Sequence, residues 1–245
     1  MPATKPIRLG HIDLSFHKAS ALKVAEVLKC HGHEVEHSFA HHEDAFDMLA
    51  KGKIDMLSSA WLPSSHQKYL DPIEGDVEKV TVLYEPYCLW GVPDFVPESD
   101  LAEIGDLTKE PSLSKVESLI QGINPGAGIS RFSAQMIEEY GLGEHGYHFE
   151  TGTEADCFDR FEEAVAQKRW VIVPLWQPQY LHNRYQIREL RDPKGLLGSK
   201  DEATLLLRKD ARSKLSEGAL RDLRALHIGN SQMNALDDEL RQSDA

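Results

Sequence analysis

At 245 residues, with 41% hydrophobic and 27% charged side chains, the chain has the composition of a soluble globular protein of one large or two modest domains. Its formal net charge of −13 argues against partners that demand clustered Lys and Arg, namely nucleic acid and an anionic membrane surface. No run of about 18 apolar residues is present, so no segment reads as spanning a bilayer. The three cysteines (Cys30, Cys88 and Cys157) are widely spaced and odd in number, which points to free thiols. Met1-Pro2-Ala3-Thr4-Lys5-Pro6 leads straight into a strand-like Ile7-Arg8-Leu9-Gly10, without a basic segment followed by an apolar one. That start fits either a cytoplasmic protein or a mature form whose leader was replaced by Met1.

In chain order, residues 7–12 predict a first strand, with Asp13-Leu14-Ser15 as the turn after it. Ala21, Leu22, Val24, Ala25, Val27 and Leu28 have amphipathic helical spacing, and His31-Gly32 is the stop. Ser15 is the expected N-cap, which leaves the amides of Phe16, His17 and Lys18 pointing forward as a site for a carboxylate, with water as the ordinary alternative. Residues 35–39 predict a second strand, 42–51 a second helix and 54–57 a third strand. This βαβαβ order defines a parallel-sheet unit. Trp61-Leu62-Pro63 then follows just past a strand end.

Residues 80–93 form an extended stretch too long for one ordinary strand, suited to a crossing between two lobes. A short surface helix is expected over 101–107 and a strand from Ile120, followed by the Gly-rich turn Asn124-Pro125-Gly126-Ala127-Gly128. A helix over 130–140, a strand over 147–150 and a helix over 155–167 continue a second α/β unit. Trp170-Val171-Ile172-Val173 reads as its buried strand. Pro174 and Pro178 then forbid a regular helix or central strand and pin Trp176 just beyond it, where open α/β sheets bind ligands. A late strand over 203–208 and helices over 215–226 and 230–240 complete the chain. Residues 1–88 with 202–245 are expected to form one lobe and residues 89–201 the other.

The Gly-rich turn lacks the Lys-Ser/Thr of a phosphate loop and the third glycine of a dinucleotide fingerprint, so no nucleotide cofactor is implied. His31, His33, His37, His41 and His42 cluster without the spacing of a metal site and read as solvent-exposed. A His-rich metal binder ranks last among the functional readings, and no cofactor is expected. No hydrolase signature is present. What remains is aromatic: Trp61, Trp176, Tyr87, Tyr180 and Phe16 lie near strand ends. Aromatic faces attract cations, Trp most strongly, and cages of them bind quaternary ammonium groups. Simple core packing of these rings is the alternative.

Several motifs in order carry a family resemblance: Trp61-Leu62-Pro63 with His66 and Tyr69, residues 122–129, Tyr140-Gly141-Leu142, Trp176-Gln177-Pro178, residues 190–198 and Asp201-Glu202-Ala203-Thr204. From Ile7 to about Leu226 the chain resembles the glycine betaine-binding substrate-binding proteins of ABC transporters. The resemblance implies a type II periplasmic-binding-protein fold: α/β, bilobal, with a ligand cleft between the lobes and closure by hinge motion. It implies no enzyme activity, an ABC permease as partner and a periplasmic location. Trp61 and Trp176 match two cage positions. The third matches Leu14, which offers no cation–π face, so either Phe16 replaces it or the ligand differs. The amides that hold carboxylate match His17 and Lys18. A family His matches Gln179, which can donate a hydrogen bond but carries no charge. The competing expectation is a cytoplasmic sensor or enzyme that reuses the fold for an amine or amino acid.

Overall fold

Each apolar run in the first third of the chain is followed by a helix or turn that returns it to the same edge, and this yields parallel strands. The structure is a computed structural model and describes residues 5–244. Residues 1–4, on which the reading of a leader partly rests, lie outside the described residues. The opening elements are β1 (Ile7–Ile12), α1 (Ser15–Cys30), β2 (Val35–Ala40), α2 (His42–Ala50), β3 (Met56–Leu62), the short α3 (Gln67–Leu70) and β4 (Val77–Val82). Then come β5 (Tyr87–Pro93), α4 (Ser112–Lys115), β6 (Leu119–Gln121), α5 (Gly128–Glu139), β7 (His148–Glu150) and α6 (Glu154–Gln167). The chain ends with β8 (Val173–Gln177), α7 (Leu181–Arg184), β9 (Ile187–Glu189), β10 (Glu202–Arg208), α8 (Glu217–Ala225) and α9 (Asn230–Asp244).

The chain divides into two units. Unit 1 holds the described residues up to Pro86, Pro178–Tyr180, and those from Asp201 onward; unit 2 holds Tyr87–Gln177 and Leu181–Lys200. The expected ranges differ in detail: Tyr87 and Cys88 fall in unit 2, and Asp201 and Pro178–Tyr180 fall in unit 1. The extended stretch over 80–93 is two strands, β4 in unit 1 and β5 in unit 2.

Unit 1 is built on a five-stranded sheet of order β2-β1-β3-β10-β4. β1 runs parallel to β2 and β3, while β10 lies antiparallel between β3 and β4, so a strand from the end of the chain completes a sheet begun at its start. Leu9, Leu57 and Leu206 are fully buried in it. Gly10 is required by packing, since a Cβ there would lie 2.4 Å from Ile54 Cδ1. Asp55, next to Ile54, is buried and ties β1 to the C-terminal segment through Arg8 and Lys214.

Unit 2 contains a three-stranded sheet of order β8-β5-β9 and a two-stranded parallel sheet of β6 and β7. The strand expected over 170–173 begins later, at Val173, and continues through Pro174 to Gln177. Trp170 makes a single bridge to Val116. Apolarity marked burial there rather than pairing: Val171 and Ile172 are fully buried outside any strand, and only Val173 is paired, opposite Gly91. Pro174 is tolerated opposite Trp90 because β8 is an edge strand, where a missing N–H leaves no ladder bond broken. The helix expected over 101–107 is a 3-10 turn over Ile104–Thr108. Leu101, Ile104 and Leu107 are fully buried, so it is not a surface element.

Candidate functional site

In unit 1, Trp61 does not lie past a strand end. It sits within β3 and pairs with Ala203 of β10. Its indole is 6% exposed and packs against Phe16 at 5.3 Å, His17 at 5.6 Å and, edge to face, Tyr84 at 6.5 Å between ring centroids. Trp61 Nε1–H donates to Tyr84 Oη at 3.2 Å. The turn after Trp61 folds back so that its backbone N–H donates to His66 Nδ1 at 2.9 Å. Asp201 fixes the same turn by accepting from the amides of Ser64 at 2.6 Å and Ser65 at 3.0 Å. The two motifs are 137 residues apart in sequence yet form one small structure around Trp61.

The start of α1 supplies Phe16 and His17. Ser15 is not the N-cap; Leu14 is, with an extended backbone and no side-chain cap. The reason is that Leu14 C=O accepts the first turn's bond, from Lys18 N–H at 3.1 Å. The Lys18 amide is thereby used within the helix, which overturns its assignment as a forward-pointing donor. Ser15 Oγ instead accepts from Arg241 Nε at 3.2 Å. Leu14 is 8% exposed, Phe16 and His17 each 1%.

His17 Nδ1 lies 2.5 Å from Ser59 Oγ. Burial, reinforced by His66, His42 and His11, pushes the His17 pKa well below its usual value, so the ring is neutral. Ser59 is fully buried and has a left-handed backbone, φ +55°. His42, expected at the surface, is buried against His66 at 5.3 Å. His31 pairs with Asp222, and His33 accepts from Ser216 N–H. Among the described residues no three His, Cys, Asp or Glu side chains group as a metal site.

Gln179 and Tyr180 also belong to unit 1. Gln179 is fully buried, and its backbone N–H donates to Asn234 Oδ1 at 3.0 Å. Tyr180 N–H donates to Asp237 Oδ2 at 2.8 Å, and Arg241 lies 4.3 Å from the Tyr180 ring centroid. One face of that ring is therefore already covered by an internal cation.

In unit 2, Trp176 lies inside β8, opposite Cys88, rather than beyond a strand. It is 1% exposed and packs on Phe158 at 5.3 Å. His182 Nε2 sits 3.0 Å from its carbonyl oxygen. Tyr87 on β5 donates its hydroxyl to Glu189 Oε1 at 2.7 Å, and burial with that carboxylate pushes its pKa up. Tyr140 donates to Asp192 at 2.6 Å and accepts from Lys194 N–H at 3.0 Å, while Asp192 also accepts from Leu197 N–H at 2.9 Å. The Tyr140 and Asp192 motifs thus brace a loop.

Ser20, Ser58, Ser59 and Tyr84 were not singled out by sequence reasoning. The available signal was Ser58-Ser59 interrupting the apolar run from Ile54 to Leu62, small polar residues in what proves a fully buried strand.

The two α/β units belong to the fold class of the type II periplasmic binding proteins, as solved structures bear out. Lactococcal OpuAC, closed with glycine betaine, aligns at a TM-score of 0.84 and 23% identity over 98% of this chain and 91% of that one. A choline-binding protein in complex with choline aligns at 0.82 and 14% identity, over 100% and 86%. Both share the type II periplasmic-binding-protein fold. Over residues 5–245 the chain matches the family model described as the substrate-binding domain of the ABC-type glycine betaine transport system, and it belongs to that family. The family comprises periplasmic or extracellular transport proteins rather than enzymes. A curated relative, the glycine betaine/carnitine transport binding protein GbuC of Listeria monocytogenes, is 26% identical over 95 residues. That match takes in 39% of this chain and about a third, 32%, of the relative's length. Among the described residues no helix is long and apolar enough to cross a membrane.

Proposed function

We propose that the chain is the solute-binding component of an ABC uptake system and binds a small zwitterionic or quaternary-ammonium compound of the glycine betaine, choline or carnitine kind. The observation that carries this reading is the set of rings around Trp61: Phe16 and Tyr84 hold it, and His17 stands beside it at the start of a 16-residue helix. A Trp face attracts a desolvated cation, and a helix start favours an anion. Phe16, two residues after Leu14, is the aromatic that accompanies Trp61 in unit 1, and Trp176 is the corresponding candidate in unit 2. The protein performs no chemistry on its ligand and delivers it to a membrane permease.

Calorimetric titration with glycine betaine, choline, carnitine, proline and histidine tests the proposal. At least one of the first three is expected to bind with micromolar or better affinity. Trp61→Ala should weaken it by roughly 0.5–2 kcal/mol from the cation–π contribution, with further loss from packing. Failure of all five to bind more tightly than millimolar overturns the reading.

A further inference from the structure

The last helix, α9, carries Asn230, Asn234 and Asp237 at spacings of four and three, which set them along one face. The chain passes between the units after Pro86, after Gln177, after Tyr180 and after Lys200. All three side chains bond to segments that lead to these crossings. Asn230 treats Glu85 as a neighbouring strand would: its Oδ1 accepts from the Glu85 N–H at 3.1 Å, and its Nδ2 donates to the Glu85 carbonyl at 2.7 Å. Asn234 Oδ1 accepts from the Gln179 N–H, and Asp237 Oδ2 accepts from the Tyr180 N–H.

Pro178 has no N–H, so both main-chain donors of the segment 178–180 end on α9. Gln179 is 0% and Tyr180 4% exposed, which leaves water little access as a substitute acceptor. The lead into α9 is pinned as well. The N–H groups of Ile228 and Gly229 both donate to the Leu83 carbonyl, at 2.7 and 3.0 Å, and Gly229 turns the chain with φ +80°. The crossing after Lys200 is joined through Pro86, whose carbonyl accepts from the Asp201 N–H at 2.7 Å. All of these bonds lie within unit 1. The helix itself is anchored by the fully buried Met233 and by its packing on α1.

The candidate ligand residues sit close to these segments in sequence. Tyr87 directly follows Pro86, Trp176 lies two residues before Pro178, and Gln179 lies on the second segment. A segment free to change its backbone angles has to be ordered when ligand binds, and that ordering is subtracted from affinity. A segment held beforehand avoids the loss.

We propose that α9 is the positioning element of the crossover segments: Asn230, Asn234 and Asp237 hold their unit 1 ends in place and so raise ligand affinity without touching the ligand. The inference rests on the proposed function and deepens it, adding a determinant of affinity in the last helix of the chain.

Hydrogen exchange of the ligand-free full chain, and calorimetry with glycine betaine and choline, test this. Asn234→Ala removes one acceptor at a half-buried position, whereas Asn234→Asp keeps an oxygen there. Asp237→Ala and Asp237→Asn form the same pair at a buried position. In the alanine variants, exchange at the Gln179 or Tyr180 amide should accelerate by about tenfold, as for a lost hydrogen bond. Both ligands should bind about three- to thirtyfold more weakly, and to the same extent, because the effect does not pass through a ligand contact. The conservative variants should recover most of both effects. Leu220→Ala truncates the core beneath α8, away from the crossings, and reads what lost stability does by itself. It should change affinity by less than about twofold.

Unchanged exchange at both amides overturns the inference, as does a loss of affinity in Asn234→Ala no greater than in Leu220→Ala. A loss confined to one ligand overturns it too, by pointing to direct contact. If Asp237→Ala does not fold, Asn234→Ala decides alone. Wild-type protein that binds neither ligand overturns the proposed function and the link from α9 to affinity with it. Exchange is read without ligand and still decides whether α9 holds the two amides, so the two failures are distinguishable.

Discussion

Trp61 and His66 hold each other by two hydrogen bonds: the Trp61 N–H donates to His66 Nδ1 at 2.9 Å, and the His66 N–H donates to the Trp61 carbonyl at 2.8 Å. The imidazole is 1% exposed and stacks near the indole at 6.2 Å, so it supplies both an acceptor and packing. His66→Ala leaves the buried Trp61 N–H unsatisfied and should destabilise the protein by roughly 1–3 kcal/mol from that loss, with a packing loss besides. His66→Gln, whose side-chain oxygen can accept, should recover part of it. Urea denaturation measures both, and a His66→Ala midpoint equal to wild type would show that the brace contributes nothing.

Asp55 predicts acid sensitivity. Burial alone would raise its pKa, but hydrogen bonds from Arg8 and Lys214 outweigh burial and hold it at about 2. Because this lies below the 3.8 of the free side chain, the stabilisation is present above about pH 3.8 and is lost as the pH falls through about 2. Asp55→Asn should therefore lower stability at neutral pH, by about 2 kcal/mol given that Arg8 and Lys214 stay partly solvated. Its difference from wild type should shrink toward pH 2. A difference that does not vary with pH would assign the effect to packing.

His17 acts in another range. Its folded-state pKa is depressed, chiefly by burial, so the unfolded chain takes up the proton first. Its contribution is complete above the ordinary His value of 6.5 and declines as the pH drops below it, with a slope of at most about 1.4 kcal/mol per pH unit. Stability curves between pH 7 and pH 5 should be shallower for His17→Gln than for wild type. Parallel curves would mean that His17 titrates alike in both states.

Tyr140 and Asp192 predict a local effect. Tyr140→Phe removes the donor to Asp192 and the acceptor for Lys194 N–H. A global loss of only about 1 kcal/mol is expected. Hydrogen exchange at the Lys194 and Leu197 amides should accelerate, and ligand affinity should change little. Unaltered exchange at both amides would remove the loop-bracing role.

Much of the fold was legible because it rests on periodicity. The strand over residues 7–12, the helix that Gly32 stops and the parallel order of the first three strands followed from apolar spacing and chain reversal. The failures came where pairing and burial part company. The run over 170–173 is buried, yet its strand begins only at Val173, and Pro174 lies inside the strand because an edge position spares its missing donor. The N-cap moved from Ser15 to Leu14 because the first helical bond, not the identity of the preceding side chain, sets the boundary.

The sequence by itself determined the family, through motifs whose order survives even where residues change, and it singled out Trp61, Trp176 and Phe16 as aromatics worth following. Only the tertiary structure decided what surrounds them. Ser59 reaches His17 across 42 residues, and Asp201 reaches the turn after Trp61 from 136 and 137 residues away. Hydrogen bonds between such distant groups leave no period in the chain: spacing reports which face of an element is buried, whereas a polar partner is chosen by where two elements come to lie.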